Sequence, residues 1–185
     1  MSCDRRLYLL RHAKSSWEME GVADHDRPLS DRGRRAAALM ADYVAAHAIN
    51  PEMVLCSTAV RALSTLQAVL PGRLDGADAR TAARVEHELY SADATQLLKR
   101  LQRLSADVQS VMVVGHNPTL QELALALAGG AAPDRSASSE SMAELRRKLA
   151  TGSLVTLAVC TEWRDLAVGG AVLLDYIRPA SLTAD

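Results

Sequence analysis

Leu7-Tyr8-Leu9-Leu10-Arg11-His12 and Val111-Met112-Val113-Val114-Gly115-His116 decide how this chain is read. Each begins as a short apolar run suited to a buried strand, and each ends in a histidine. In an open α/β sheet, groups just past the carboxyl ends of the strands converge on a crevice where ligands bind. Two imidazoles far apart in sequence are therefore expected to face one crevice. Arg11 beside His12 points to an anionic ligand.

Working outward, helical and strand-like segments alternate. Residues near 6–10 read as a first strand and Met53-Val54-Leu55-Cys56 as a second. Between them, Ser30 caps an expected helix from about Asp31 to Ala46, with apolar residues at helical spacing. Ser57 or Thr58 is expected to cap a second helix that ends near Pro71-Gly72. Residues 73–79 read as a turn-rich connection, followed by a weak strand near Thr81–Val85. Asp93 caps a helix through Leu97, Leu101 and Leu104, and Pro118 suits the first position of a helix running to Leu127. Residues 129–141 read as a flexible excursion before a short helix at Ser141–Leu149. Leu154–Cys160 and Val172–Ile177 read as a β-hairpin. The pattern predicts a three-layer α/β/α sandwich with a mostly parallel central sheet, as one domain over residues 1–185.

The bulk numbers narrow the partners. The chain has 185 residues, 49% of them apolar, enough for one full core. With 21 basic and 22 acidic residues the net charge is −1, which gives no broad field for nucleic acid or an acidic membrane. Anion recognition must be local. Cys3, Cys56 and Cys160 form no disulfide framework and no zinc pair, and read as reduced thiols. With no signal-peptide pattern and no stretch long enough to span a bilayer, a cytoplasmic location is expected.

Four places carry candidate chemistry. Arg11-His12 is the first. In Ser57-Thr58-Ala59-Val60-Arg61 a strand runs into a helix with an arginine in its first turn. The helix dipole disfavours a cation there unless an anion binds between it and the helix amides. Gly115-His116-Asn117-Pro118 repeats the strand–turn–helix arrangement, aiming free N–H groups at the same crevice. Glu86-His87-Glu88-Leu89-Tyr90 offers an acid at a strand end as a proton donor. Together these suit phosphoryl transfer. Two arginines hold phosphate oxygens, one neutral imidazole attacks phosphorus, and a second imidazole, if protonated, donates to the oxygens. No cofactor or metal is called for, since no carboxylate cluster is present to hold one. A solvated position is the ordinary reading for His25 and His47. Arg27 reads as a loop contact to phosphate or a structural ion pair.

Arg11-His12-Ala13 resembles the Arg-His-Gly signature of the histidine phosphatase superfamily, the phosphoglycerate-mutase-like proteins. Leu9–Trp17, Asp26–Gly33, Ser57–Arg61, Glu88–Tyr90 and Val113–Pro118 resemble its small phosphohistidine phosphatase branch, in matching order over nearly the whole chain. The resemblance implies that His12 accepts the phosphoryl group. Arg11, Arg61 and His116 form the pocket, and Glu88 sits where larger members carry the acid that protonates the leaving group, with Glu86, or neither residue, as the alternatives. Lys14, Ser15 and Asn117 are further candidates for phosphate or substrate contact. Ala13 stands where the signature has glycine, and its added Cβ is expected to narrow the pocket floor slightly.

The resulting expectation is a metal-independent phosphatase acting through phosphohistidine. Its substrate would be a phosphorylated protein such as a histidine-containing phosphotransfer domain. The alternatives are a phosphomonoesterase for sugar phosphates or nucleotides, and a non-catalytic phosphate-binding domain. Short loops at 13–29 and 129–150 predict an open site. From the ordinary imidazole pKa of about 6.5, the rate is expected to fall once acid protonates His12.

Overall fold

The computed structural model describes residues 3–18, 20–74, 82–129 and 139–183. Its strands are β1 (Arg5–Arg11), β2 (Met53–Ser57), β3 (Arg84–Glu86), β4 (Ser110–Gly115), β5 (Leu154–Val159) and β6 (Ala171–Ile177). They form one sheet in the order β3-β2-β4-β1-β5-β6. The first four in that order run parallel, and the β5–β6 hairpin closes the sheet in antiparallel fashion.

Alternation along the strands makes two cores, because successive side chains point to opposite faces. Leu7, Leu9, Val111 and Val113 face α4 (Ala94–Gln102), α5 (Thr119–Ala128) and α6 (Ser139–Arg147). Leu10, Val54, Met112 and Val114 face α1 (Asp31–Ala46) and α2 (Val60–Val69). Each fully buried leucine contributes roughly 1.5–3 kcal/mol. The inner parallel strands β1, β2 and β4 are thus largely apolar on both sides, as expected where helices cover both faces of a sheet.

Helix starts follow local chemistry where a cap is present. The Ser30 hydroxyl accepts from the Gly33 N–H at 3.1 Å, and α1 begins at Asp31. At α4 the Asp93 carboxylate accepts from the Gln96 N–H at 2.7 Å, and the Gln96 side chain accepts from the Asp93 N–H at 2.9 Å. That reciprocal pair is a capping box. Pro118 sits one residue before α5. For α2 the expected cap is corrected: Ala59 holds the cap position, with no side-chain hydrogen bond. The four-residue α3 (Glu88–Ser91) was not foreseen. The turn-rich connection at 73–79 and the excursion at 129–141 fall largely outside the described residues, and α6 begins two residues before the expected Ser141.

The cysteine reading is also corrected. Cys3 and Cys160 form a disulfide, and only Cys56 is a free, buried thiol. The pairing follows from topology. β1 and β5 are antiparallel neighbours with Arg5 opposite Val159, so the residues flanking that end meet. The expected reduced compartment loses one of its supports. Among the described residues no helix is long and apolar enough to cross a membrane.

Register positions the site. Arg11 lies opposite Gly115, and Cys56 opposite Val114. β1, β2 and β4 therefore end level with one another, and His12, Ser57 and His116 emerge along one edge of the sheet, where the chain order of the strands reverses.

Candidate active site

Backbone contacts fix the loop that follows β1. The His12 N–H donates to the Gly115 carbonyl at 3.1 Å, and the Gly152 N–H donates to the carbonyls of Arg11 and His12. The Ala13 N–H donates to Thr65 Oγ1 at 2.9 Å, while that hydroxyl donates to the Arg61 carbonyl at 2.6 Å. Thr65, on α2, thus ties the loop to the turn that carries Arg61. On the other side α1 presses against the loop. Ser30 donates to the Lys14 carbonyl through both its N–H and its hydroxyl. A Cβ on Gly33 would collide with that same oxygen, so only glycine allows the approach. Ala13 does not narrow the pocket floor: it is wholly buried in a small cluster with Leu29 and Ala37.

The two histidines meet. Their ring centroids lie 5.0 Å apart, tilted by 51°. His12 Nδ1–H donates to the Ala13 carbonyl at 2.8 Å, which leaves the lone pair on Nε2. Burial pushes the His12 pKa down to about 4; the Ala13 hydrogen bond opposes this, and the charges of Arg61 and Arg11 add to it. His116 is pushed down to about 3 by burial, then by His12 and Arg61. Its Nδ1 accepts from Arg61 at 3.5 Å, so its Nε2–H donates to Ser57 Oγ at 2.8 Å. His116 is therefore neutral in this arrangement, and the protonation on which its donor role depends is not present before an anion binds. The hydroxyl of Ser57, expected to cap a helix, instead receives His116 and the Ala59 N–H.

Arg61 is buried, and its partner is a carboxylate that sequence reasoning missed. It donates to the main-chain and side-chain oxygens of Asp24, the latter at 2.9 Å, and Tyr90 donates to the same carboxylate at 2.9 Å. Partial burial acts to raise the Asp24 pKa, but Tyr90 and Arg61 hold it below the usual carboxylate range. Asp24 lies in a short turn, Asp24–Asp26, inside a loop with no periodic pattern. The one sequence signal for it was indirect: an arginine at a helix start needs an anion nearby.

The cleft has a volume of about 470 Å³, and Arg11, His12, Lys14, Ser15, Asp24 and Arg61 are among the residues lining it. Its rim is made of exposed residues such as Trp17, Arg32 and Lys148. Arg11 donates to the Leu149 carbonyl at 2.7 Å, and its buried Nε has no partner among the described residues. Burial lowers its pKa from an ordinary value high enough that it stays charged. Among the described residues no group of three His, Cys, Asp or Glu is placed to hold a metal ion.

Two candidates fall elsewhere. Glu88 opens α3, is exposed, and lines a different hollow with Lys99 and Arg103; Glu86 beside it is tied to Arg100 at 2.6 Å. Neither acid lines the cleft with His12: Glu86, the last residue of β3, is held by Arg100 of α4, and Glu88, the first of α3, sits beside α4. Asn117 lies off the cleft, its amide donating to Gln121 and to the Leu149 carbonyl that also receives Arg11. It helps position Arg11 and does not offer that amide to a ligand. His47 is exposed and stacks on Tyr43. His25 is more involved than expected: it pairs with Thr58 at 2.9 Å and packs against Tyr90. Arg27 stacks over Trp17 at 4.2 Å.

A sheet edge that gathers two neutral imidazoles and two arginines defines an oxyanion-binding α/β protein of the phosphatase class. The chain belongs to the histidine phosphatase superfamily. The model of that family's branch 1 matches residues 7–89. An uncharacterized protein of Mycobacterium tuberculosis is 37% identical over 92% of this chain and 99% of its own length. A solved structure from Nakamurella multipartitia, described as a "putative phosphohistidine phosphatase SixA", is 34% identical. It covers 95% of this chain and 96% of its own, with a TM-score of 0.77. A protein histidine phosphatase SixA solved with tungstate shares the fold (TM-score 0.72, 23% identity, 96% of this chain and 99% of its own).

Proposed function

We propose that this protein removes phosphoryl groups from phosphohistidine in proteins, using His12 as the nucleophile. The observation that carries the reading is the state of Asp24, the one carboxyl group lining the cleft among the described residues. Asp24 is held as an anion by Arg61 and Tyr90. A site so built has no acid ready to protonate an alkoxide, which is the leaving group of an ordinary phosphate ester. The imidazole of phosphohistidine leaves more easily and takes its proton from water.

The chemistry runs in two halves. His12 Nε2 attacks phosphorus as the bond from phosphorus to the substrate nitrogen breaks, giving phospho-His12 and a free imidazole. Arg11 and Arg61 hold the phosphate oxygens, Arg61 exchanging Asp24 for the substrate anion. The approaching phosphate charge raises the pKa of His116, so it takes up a proton and donates to an equatorial oxygen. Water then attacks phospho-His12, releasing phosphate and restoring the neutral ring. The resemblance of the chain to a structure described as a phosphohistidine phosphatase supports the same substrate.

The test is to incubate the protein with a labelled phosphohistidine protein and quench in alkali, where phosphohistidine survives. Transient label on His12, lost in His12→Ala together with turnover, is expected. Turnover of phosphate monoesters at rates matching or exceeding phosphohistidine would favour a small-molecule enzyme. Binding with neither label nor turnover would leave a phosphate-binding domain.

A further inference from the structure

The cleft continues into a second hollow that the reaction does not use. This groove, of about 330 Å³, shares Lys14, Arg32, Ala150 and Thr151 with the cleft and runs on between α1 and the chain after β6. Its outer part is lined by Arg35 and Arg178, with Ala36, Leu39 and Pro179 as an apolar floor. Five basic residues line the cleft and these two extend the row; among the described residues Asp24 is the one acid in the lining, with Glu144 behind Arg178. The chain as a whole carries a net charge of −1, so this face holds a local excess of positive charge.

Most of that charge is uncommitted. Lys14, Arg32, Arg35 and Lys148 make no ion pair among the described residues, and all four are exposed. Arg178 is paired with Glu144 at 2.7 Å. Binding one phosphoryl group needs only Arg11 and Arg61. Trp17, 70% exposed, adds an aromatic surface to the cleft, of the kind that anchors protein interfaces.

We infer that the groove through Arg32, Arg35 and Arg178 docks an acidic polypeptide segment flanking the phosphohistidine, so that the enzyme selects phosphoproteins by the charge beside the phosphorylated residue. This rests on the proposed phosphohistidine activity. Carboxylates of the partner lie along the groove while the phosphoryl group enters the cleft, and the unpaired cations raise the encounter rate. A metabolite carrying a single phosphate would fill the cleft and leave the groove unused.

The test compares three substrates at two ionic strengths. Two are peptides phosphorylated on a single histidine, one flanked by Asp and Glu and one by Ser and Gly; the third is phosphoramidate. The expected kcat/KM is about tenfold higher for the acidic peptide than for the neutral one at low salt, with the gap closing as salt screens it. In Arg35→Gln/Arg178→Gln, which leaves the cleft residues intact, the gap closes while turnover of phosphoramidate stays within twofold. Equal rates on the two peptides in the unaltered protein, needing no variant, overturn the docking proposal. So does a variant that loses all three activities in parallel. Absence of turnover on both peptides and on phosphoramidate defeats the phosphohistidine reading itself.

Discussion

Burying two neutral imidazoles side by side makes the fold sensitive to mild acid, by an amount the site geometry sets. His12 and His116 have folded pKa values of about 4 and about 3, against about 6.5 in the unfolded chain. A histidine with a depressed folded pKa is neutral in the fold while the unfolded chain takes up a proton. Stability is therefore full above about 6.5 and falls as the pH drops from there toward the folded values. At pH 5 the fold still binds almost no proton at either ring. The loss is then set by the unfolded value and hardly by the depth of the shift. Between pH 7 and pH 5 each ring contributes a loss of a little under ~2 kcal/mol, or about 4 kcal/mol for the pair. That is a large share of the roughly 5–15 kcal/mol that holds a domain together. Urea unfolding at pH 5, 6 and 7 and constant ionic strength measures it. The unaltered protein should lose about 4 kcal/mol more over this range than His12→Gln/His116→Gln, since the remaining titrating groups are common to both. Parallel profiles within about 1 kcal/mol would refute the claim that both rings are held neutral. The same shift moves the acid limb of kcat/KM from near 6.5, where the sequence alone puts it, to near 4.

Two further substitutions probe the supports of the cleft. Asp24→Asn removes the anion that competes for Arg61, so inorganic phosphate should inhibit more strongly. A half-exposed ion pair contributes up to about 1 kcal/mol, or about fivefold in Ki, and unchanged or weaker inhibition would show that Asp24 does not occupy the phosphate position. Gly33→Ala drives a Cβ into the Lys14 carbonyl, which is backbone and cannot swing aside. A stability loss of about 1–3 kcal/mol is expected in denaturant unfolding, with a fall in kcat as the Lys14–Ser15 loop shifts; an unchanged midpoint would mean that α1 and the loop separate freely.

What the sequence makes legible is what short-range chemistry decides. α1 is readable to the residue because Ser30 caps it and apolar residues recur at helical spacing; the start of α4 is readable because Asp93 caps it, while its end falls at Gln102, short of Leu104. The β1 and β4 runs are readable because strands buried on both faces are continuously apolar. Long-range contacts override the rest. Ser57 looks like a cap, but its hydroxyl belongs to His116, 59 positions away. Glu88 occupies the position of an acid by resemblance, yet a single helical turn without a cap or periodicity points it out of the cleft. Cys3 and Cys160 pair across 157 residues because two strands happen to be neighbours, which spacing cannot reveal.

Asp24 shows most clearly why a site can be half readable. Arg11, His12, Arg61 and His116 sit at strand ends and helix starts, where topology converts sequence position into spatial position. Asp24 sits in a loop, and its place is fixed by Arg61 and Tyr90 only after those have been placed by the sheet and by α3. It nevertheless sets the chemistry. With the carboxylate engaged, Arg61 is held in place, and burial together with the arginine charges outweighs the pull of Asp24, so both imidazoles stay unprotonated and His12 keeps its lone pair. When a phosphoryl group displaces the carboxylate, the negative charge moves next to His12 and His116. The ring that attacks must remain neutral while the ring that donates gains a proton. The two are distinguished by their partners: His12 Nδ1–H is committed to the Ala13 carbonyl, while His116 Nδ1 is open to a proton once Arg61 turns to the phosphate. The tautomers fixed by two hydrogen bonds thus assign the nucleophile and the donor, and exchanging either bond, as Ser57→Ala would for His116, should blur that assignment before it disturbs the fold.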